Sequence, residues 1–563
     1  MAEAYDAIVI GGGHNGLVAG AYLARAGART LVLEARHKTG GAAATDQPWP
    51  EAPEFKVTTY SYVMSLMPDT IIRDLSLVRH GYKVFPMGPY FQAWPDGRSL
   101  MLFADDAKRN HDQVARYSKK DAEAMPRWDA WLGELAKVMG PLLMTVPPNL
   151  GSMKPGDLVD QMKLAWRLRG LGTQRIGDLT RLMTMSITDL LNDWFESEEV
   201  KASLAVNGII GTWAGPDEPG TAYVMAHHSI GDVGDGHLGN WGFPEGGMGA
   251  VSDACRKAAE ELGATIRTNA KVQKILVRNG AAEGVVLGDG EELKAPILVT
   301  AVHPKITFLQ QIDRKELPPD FVRDIENWKT RSGVVKINLA LAELPDFAQT
   351  MPGSNLQEHH TGSVELCLST KYAEDAFQDA RGGRASARPF VDGVIPTVFD
   401  KTLAPEGKHI FSMFTQWVPE TWSKEPHREE LEAYADRVID GYTELAPNLK
   451  GAILHRQVIG PYDLEQELGL IGGNIFHGEL SVDQLFHMRP APGYADFHTP
   501  IRGLYQASSA CHAGGGVCGV PAYLAVRQIL RDRKLGRSAR NGHGNGSVAI
   551  APGAAAATTT ASS

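Results

Sequence analysis

The sequence lacks the residue patterns that mark several common kinds of functional site. It has only four cysteines among 563 residues, and no two of them form a C-x-x-C or C-x-x-x-x-C pair. This argues against a disulfide framework and a redox dithiol, and it favours a reducing compartment. H-E-x-x-H, clustered Cys/His spacings and G-x-S-x-G are also missing. We therefore predict no metal site and no serine nucleophile of the hydrolase type.

Basic residues and long apolar runs are scarce as well. Lys and Arg number 56 against 66 Asp and Glu, which gives a formal net charge of −10. That balance argues against nucleic acid as a partner, because phosphate backbones attract basic surfaces. The N-terminus is acidic, and no uninterrupted apolar run approaches the length of a membrane span. These absences predict a cytoplasmic protein and leave peripheral contact with a membrane and the oligomeric state open.

Glycine is plentiful, and its first cluster is the most informative part of the chain. The apolar run 7–10 leads into Gly-Gly-Gly-His-Asn-Gly, a helical stretch follows, and a second apolar run ends at Glu34. Gly11 permits a tight turn, Gly13 lets the backbone approach a pyrophosphate, and Gly16 lets the helix pack against the strand. Because the strand, helix, second strand and acid occur together, we predict a βαβ dinucleotide site with phosphates at the helix N-terminus.

The residues around Glu34 bear on the identity of the dinucleotide. A carboxylate at this position accepts ribose hydroxyls and repels a 2′-phosphate, which disfavours NADP. The fingerprint alone does not distinguish NAD from FAD. Arg36 and the pair Gly40-Gly41 then carry the chain past the ribose and back towards the phosphates. Since no second G-x-G-x-x-G between strands of its own appears, a dedicated nicotinamide domain is disfavoured.

A second glycine-rich turn lies near the C-terminus. The apolar strand 503–507 enters a loop that contains Gly514-Gly515-Gly516, and a helix follows from Pro521. Three successive glycines before a helix indicate close approach of the backbone to something planar or anionic. In an FAD protein this helix N-terminus would face the pyrimidine edge of the flavin, where negative charge accumulates on reduction.

These motifs and their order resemble the FAD-binding flavoproteins of the amine oxidase and phytoene desaturase superfamily. The resemblance rests on E-x-R-x-x-x-G-G from Glu34, on P-x-G-G-M at 244–248, on I-F-H-G at 475–478 and on the terminal glycine loop, and it covers nearly all of residues 5–535. It implies an α/β fold, in which a Rossmann-type FAD-binding domain is interleaved with an α+β substrate domain. FAD is the implied cofactor, with its adenine against the backbone of Val272.

Three features depart from the family pattern at the flavin, one of which is Pro521-Ala522-Tyr523-Leu524 in place of a more polar, glycine-containing stretch. Ser508 stands where the family usually has glycine, and Ala513 stands where it has proline after the histidine. We therefore carry over FAD binding but no substrate preference. The predicted cofactor-binding residues are Gly11, Gly12, Gly13, Asn15, Gly16, Glu34, Ala35, Arg36, Gly40, Gly41, Val272, Ser508, Gly515, Gly516 and Val517.

Composition changes along the chain suggest how the domains divide. Apolar spacing of helical period is typical of residues 105–238, and Asn279-Gly280 favours a hairpin within a small β-meander. Tryptophan and methionine in the helical region suit either an apolar substrate cavity or a plain helical core. We assign 1–104, 243–328 and 495–535 to a discontinuous FAD-binding domain, 105–242 and 329–494 to a substrate domain with a helical insertion, and 536–563 to a disordered tail.

In this superfamily the flavin takes a hydride from a carbon, so a catalytic side chain is optional. His512 and His477 are the candidates for a polar group that faces the substrate, and the alternative for each is a histidine bonded to backbone in a buried turn. We predict an FAD-dependent oxidoreductase that acts on an apolar or amphipathic small molecule. The alternative is a flavin-binding regulatory or interaction protein with little turnover.

Overall fold

Two sheets organise the chain, one parallel and one mixed. A computed structural model describes residues 5–153, 155–234, 239–350, 353 and 355–540. The α/β fold with a Rossmann-type sheet, predicted from the sequence, is confirmed. Among the described residues, no helix is both long and apolar enough to cross a bilayer.

The five-stranded parallel sheet carries the N-terminal fingerprint. Its strands lie in the order Leu504–Gln506, Leu298–Thr300, Ala7–Ile10, Thr30–Leu33 and Thr265–Arg267. The central strand is wholly buried, as expected for a parallel sheet with helices on both faces. The helix His14–Arg25 follows the glycine turn, as the βαβ pattern predicts.

A helix and a small meander extend this part of the fold. The helix Met248–Glu261 follows the P-x-G-G-M motif, and the strands Val272–Arg278, Ala281–Leu287 and Glu292–Lys294 pair antiparallel. Asn279 and Gly280 have φ values of 51° and 69°, as a tight hairpin of the predicted kind requires. The predicted meander is confirmed.

The seven-stranded sheet forms the second layer of the molecule. Its order is Ile453–Ile459, Val334–Leu341, His409–Gln416, Phe390–Val394, Ser363–Leu366, Tyr90–Ala93 and Ser99–Leu102. The last two strands come from residues that the predicted domain division gives to the FAD-binding domain. Tyr90–Ala93 joins this sheet through a parallel pairing with Ser363–Leu366, which is distant along the chain. The domain division otherwise stays a prediction.

Helices fill most of the region that was predicted to be helical. Trp128 packs against Trp131, Trp194 and Phe195 with ring centroids 5.4–5.6 Å apart, so this tryptophan cluster belongs to a helical core. The helices of this region are Ala107–Val114, Lys119–Leu143, Pro155–Leu168, Gly172–Thr184, Ile187–Asn192, Glu198–Ile209 and Thr221–His228.

The remaining elements lie between and after the strands of the two sheets along the chain. The four cysteines are free and buried. The last helix runs from Val520 to Arg540, whereas the predicted tail begins at 536; the rest of that tail, from 541, lies outside the described residues. The other helices are Asp69–Asp74, Pro304–Leu309, Pro319–Glu326, Thr370–Arg381, Arg428–Leu445, Leu449–Ala452 and Pro461–Leu468, and short strand pairs join Thr45–Asp46 to Val57–Thr58 and Val84–Pro86 to Gly242–Pro244.

Candidate cofactor and substrate cavity

A cavity of about 610 Å³ is lined by residues from both sheets. One end begins at the glycine turn after the central parallel strand, where Gly13, Glu34 and Arg36 line the wall. The other end reaches the seven-stranded sheet, where Asp392 and Phe414 line it. The carboxyl edge of a parallel sheet is where ligands bind in α/β folds, so this position agrees with the predicted dinucleotide site.

The glycines of the fingerprint have two different reasons to be glycine. A Cβ on Gly16 would lie 1.8 Å from the carbonyl oxygen of Gly11, so the packing of helix against strand excludes any side chain there. A Cβ on Gly13 would meet nothing closer than Gly41 Cα at 3.8 Å, and the backbone of Gly13 is extended with φ −68° and ψ 172°. The protein therefore leaves room for a Cβ at position 13, and the space in front of the helix N-terminus fits a ligand group such as a pyrophosphate.

Glu34 is held in place by backbone groups on both of its oxygens. Oε2 accepts a hydrogen bond from the backbone N–H of Gly12 at 2.7 Å, and Oε1 accepts one from that of Arg36 at 2.8 Å. A carboxylate has about four lone-pair sites, so the fixed side chain keeps acceptor capacity for ribose hydroxyls. Its position on the cavity wall agrees with that role.

Several buried polar atoms on the cavity wall have no hydrogen-bond partner among the described residues. They are Asn15 Oδ1, Arg36 Nη1, His303 Nε2, Gln311 Oε1, His14 Nε2 and His477 Nδ1. A buried polar group without a partner costs about 1–3 kcal/mol, so such groups on a cavity wall are expected to find partners on a ligand. The set mixes acceptors and a cation, which fits the ribose, phosphate and base of a dinucleotide.

The C-terminal glycine loop meets the fingerprint from the opposite side. Asn15 Nδ2 donates a hydrogen bond of 3.0 Å to Ser509 Oγ. His227 Nε2 lies 3.0 Å from the carbonyl oxygen of Gly515. Gly515 and Gly516 have φ values of 103° and 125°, which L side chains rarely adopt. The two glycine turns thus line one cavity and form what we call the cradle, and its role in holding the cofactor stays a prediction.

Most of the predicted cofactor residues line the cavity, and the others support it from behind. Ser508 is 2% exposed and accepts a hydrogen bond from the N–H of Ala510, while its neighbour Ser509 faces the cavity. The predicted residues on the wall are Gly11, Gly13, Asn15, Glu34, Ala35, Arg36, Gly41, Val272, Gly515, Gly516 and Val517, and those behind it are Gly12, Gly16, Gly40 and Ser508.

The two candidate catalytic histidines occupy different positions. His477 lines the cavity, and its Nδ1 has no partner among the described residues. Burial, together with the charge of Arg489, lowers its pKa to about 3. His512 lies outside the cavity wall, and its Nε2 is 3.2 Å from the carbonyl oxygen of Leu142. The position of His512 therefore differs from the predicted one, and burial lowers its pKa to about 4.

Sequence reasoning missed three contributors to the site. Arg489 is 1% exposed and donates to the carbonyl oxygens of Phe476 and Ser509 at 2.7 and 3.0 Å, which fixes the I-F-H-G segment against the glycine loop. Gln311 Nε2 donates to the Val272 carbonyl oxygen at 2.9 Å. Asp392 lines the far end of the cavity. The M-R-P triplet at 488–490 offered a signal for the arginine only.

The fold is that of a dinucleotide-binding protein with a Rossmann-type sheet, and its cavity is lined by that sheet and by the seven-stranded sheet. The family described as flavin containing amine oxidoreductase matches residues 16–386, more than half of the chain. The chain therefore belongs to the flavin containing amine oxidoreductase family. Its cofactor is FAD, and it is an FAD-dependent oxidoreductase.

Individual relatives support this assignment over nearly the whole chain. The chain is 40% identical over 550 residues to pyridine nucleotide-disulfide oxidoreductase domain-containing protein 2 of Rattus norvegicus, with 94% of each chain covered. It is 26% identical to one of the subunits of limonene dehydrogenase from Castellaniella defragrans, over 94% of this chain and 95% of that one. The solved structure of putrescine oxidase bound to putrescine shares the fold, with a TM-score of 0.59 at 15% identity over 95% of this chain and 99% of that one.

Proposed function

We propose that the protein dehydrogenates an apolar or amphipathic small molecule by removing a hydride from one of its carbons. The main support is the end of the cavity that reaches the seven-stranded sheet, which we call its substrate side. Its wall is built largely from apolar side chains. They include Met64, Leu66, Met87, Ile210, Trp241, Val394, Phe414, Ile475 and Phe476. Burying an apolar ligand against such a wall is favourable by about 25 cal/mol per Å² of apolar surface. The similarity to a limonene dehydrogenase supports an apolar substrate, because limonene is a hydrocarbon.

When bound, FAD supplies an acceptor for a hydride and its two electrons. The protein residues provide position and dryness. Glu34 and the N-terminus of the helix His14–Arg25 would hold the ribose and phosphates, and the apolar wall would exclude water from the reacting carbon. His477 is neutral at pH 7 because burial lowers its pKa to about 3. We propose it as a neutral hydrogen-bonding group beside the substrate.

Anaerobic reduction of the flavin tests this function. The purified holoprotein would be mixed with limonene, polyenes, retinoids, long-chain amines and, as a control for nicotinamide chemistry, NADH. We expect at least one apolar compound to bleach the flavin absorption and NADH to leave it unchanged. Bleaching by none of the organic compounds would contradict the proposed function and would favour a regulatory role with little turnover. Bleaching by NADH alone would contradict the proposed function and would show that the protein oxidises a nicotinamide cofactor instead.

We further propose that the protein contacts a membrane surface peripherally through the helix Pro155–Leu168. Met162 and Trp166 on this helix are 63% and 66% exposed, and Lys163 and Arg167 lie beside them in sequence. Apolar side chains next to cations suit an anionic lipid surface. Sedimentation with vesicles that contain phosphatidylserine tests this, with Trp166→Ser expected to reduce binding and uncharged vesicles as the control. Location in the cytoplasm stays a prediction from composition.

A further inference from the structure

Two buried carboxyl groups oppose each other at the substrate-side end of the cavity. Glu365 and Asp392 are direct partners in the antiparallel pairing of Ser363–Leu366 with Phe390–Val394. Opposed side chains of such a pair lie on the same face of the sheet, about 4.5–5.5 Å apart at Cβ. Glu365 is 1% exposed and Asp392 is 5% exposed, and Asp392 lines the cavity.

The hydroxyl groups around this pair are too few to satisfy two carboxylates. Ser363 Oγ lies 2.7 Å from Glu365 Oε1 and also contacts Asp392 Oδ1, but it has only one proton to donate. Tyr62 donates its hydroxyl proton to Asp392 Oδ2 at 2.7 Å. Glu365 Oε2 receives no hydrogen bond from the described residues, although the residue is fully buried. The pair therefore needs a proton of its own.

The titratable groups around the pair carry no positive charge. The titratable neighbours are Tyr62, Tyr90, Tyr442 and Cys367, and burial raises the pKa of each, so all four are neutral at pH 7. Among the described residues, no cationic side chain acts on the pKa of either carboxyl group. Two adjacent carboxylates without a counter-ion do not both ionise.

The two carboxyl groups are not equivalent. Burial raises the pKa of Glu365 well above its usual value, and the charge of Asp392 raises it further. Burial also raises the pKa of Asp392, but the hydrogen bonds from Ser363 and Tyr62 oppose that effect. The proton therefore resides mainly on Glu365, and a single negative charge stays on Asp392, in the cavity wall.

The pair shares its wall with the flavin-side loop. Tyr62 and Leu66 both line the cavity, and the Leu66 side chain lies 2.7 Å from where a Cβ of Gly516 would stand. The glycine loop and Asp392 therefore border the same cavity.

We propose that Glu365 and Asp392 share one proton and form an acid–base site that binds the hydroxyl head group of an otherwise apolar substrate. The head group would donate its hydrogen bond to Asp392, while Glu365 acts as a positioning residue that keeps the pair singly charged. A ligand carboxylate would be repelled there, and an ether has no proton to donate. The inference rests on the proposed function, because it assigns the polar end of the same substrate cavity.

Equilibrium binding to the oxidised holoprotein tests the head-group preference. The probes are octan-1-ol, octyl methyl ether and octanoate, which share one chain and differ in the head group, and binding is read from the perturbation of the flavin spectrum. We expect octan-1-ol to bind at least roughly tenfold more tightly than either of the others, since hydrogen bonds to charged groups contribute about 1.5–3 kcal/mol. Equal binding of alcohol and ether, or no binding of any probe, would overturn the proposal.

Variants locate the preference in the pair. In Asp392→Asn the advantage of octan-1-ol over the ether should fall to about threefold or less, because a neutral amide oxygen is a weaker acceptor than a carboxylate. Glu465→Gln removes another carboxyl group that lines the same cavity and should leave the preference intact. A preference that survives in Asp392→Asn would place the head group elsewhere and overturn the assignment.

Infrared spectroscopy tests the shared proton without any ligand. At pH 8 the difference spectrum between the wild-type holoprotein and Glu365→Gln should contain the carbonyl stretch of one protonated carboxyl group, and its absence would overturn the shared proton. Failure of the proposed function is distinguishable. If the alcohol preference and the infrared band are found but no compound bleaches the flavin, the acid–base site stands and the dehydrogenase function fails.

Discussion

The side chain of Asn15 donates a hydrogen bond of 3.0 Å to the hydroxyl oxygen of Ser509, across 494 residues of sequence. This bond joins the fingerprint turn to the C-terminal glycine loop and fixes the two turns relative to each other. The other side-chain oxygen of Asn15 is buried on the cavity wall and has no partner among the described residues. One side chain thus has a structural contact and an unpartnered acceptor on the cavity wall, which we propose for the cofactor.

Replacing Asn15 with alanine should weaken FAD binding through both of these atoms. We expect the Kd for FAD to rise roughly tenfold or more, which corresponds to about one or two hydrogen bonds. Ser509→Ala removes only the bond between the turns and should have a smaller effect. Titration of the deflavinated proteins with FAD measures both values. Equal Kd values for Asn15→Ala and the wild type would contradict the role given to Asn15.

Gly13→Val and Gly16→Val should fail for different reasons. At Gly13 a Cβ has 3.8 Å of clearance, so we expect the protein to fold with a thermal midpoint close to that of the wild-type apoprotein but to be purified without flavin. At Gly16 a Cβ would overlap the Gly11 carbonyl oxygen at 1.8 Å, so we expect a large loss of stability. Flavin content and the melting temperature of the apoproteins separate the two effects. Full flavin content in Gly13→Val would show that the diphosphate lies elsewhere.

Gln311 should read the adenine of the cofactor. Its Nε2 is bound to the Val272 carbonyl oxygen at 2.9 Å, while its Oε1 is buried on the cavity wall without a partner among the described residues. An acceptor in that position favours an amino group. We expect the wild type to bind FAD several-fold more tightly than the analogue with hypoxanthine in place of adenine, and Gln311→Leu to bind the two alike. Unchanged discrimination in Gln311→Leu would show that the base is read by other groups.

The ionic cluster at His498 should make the stability of the C-terminal helix depend on pH. Burial lowers the pKa of His498, but its hydrogen bonds to Asp496 and Asp532, at 2.8 and 2.7 Å, and their charges raise it to about 10. Because the folded pKa lies above the unfolded value of about 6.5, the stabilisation is complete below pH 6.5 and is lost as pH rises to 10.

We therefore expect His498→Gln to lower the melting temperature at pH 6 by roughly 2–4 °C. The difference between variant and wild type should shrink towards zero at pH 10. Thermal unfolding of both proteins at the two pH values checks this prediction. A constant difference across that range would mean that His498 contributes through packing and not through charge.

Prediction from the sequence worked best for site residues whose roles depend on their neighbours along the chain. The roles of Gly16 and Glu34 follow from spacing within one βαβ unit, and their contacts agree with it. The sequence did not show which serine of the C-terminal loop faces the cavity. Ser509 lines the cavity, whereas the predicted Ser508 does not. The pair of Glu365 and Asp392 depends on strand register, and no local motif encodes that.

The same limit explains the other misses. Tyr90–Ala93 joins the seven-stranded sheet through a parallel pairing with a strand more than 250 residues away along the chain. His512 lies in the C-terminal glycine loop, but its ring faces the backbone carbonyl of Leu142 in the helix Lys119–Leu143. Sequence spacing does not predict that this helix lies beside the loop. Loop side chains take directions that periodicity does not describe.

The order of strands in the parallel sheet has a consequence for biosynthesis. The strand Leu298–Thr300 is flanked on one side by Ala7–Ile10 and on the other by Leu504–Gln506. While the ribosome is still making the middle of the chain, one side of Leu298–Thr300 is an open edge, and the glycine loop that completes the cradle does not yet exist. The cavity, whose wall includes residues from Ile10 to Val517, can therefore be complete only after nearly the whole polypeptide has been synthesised.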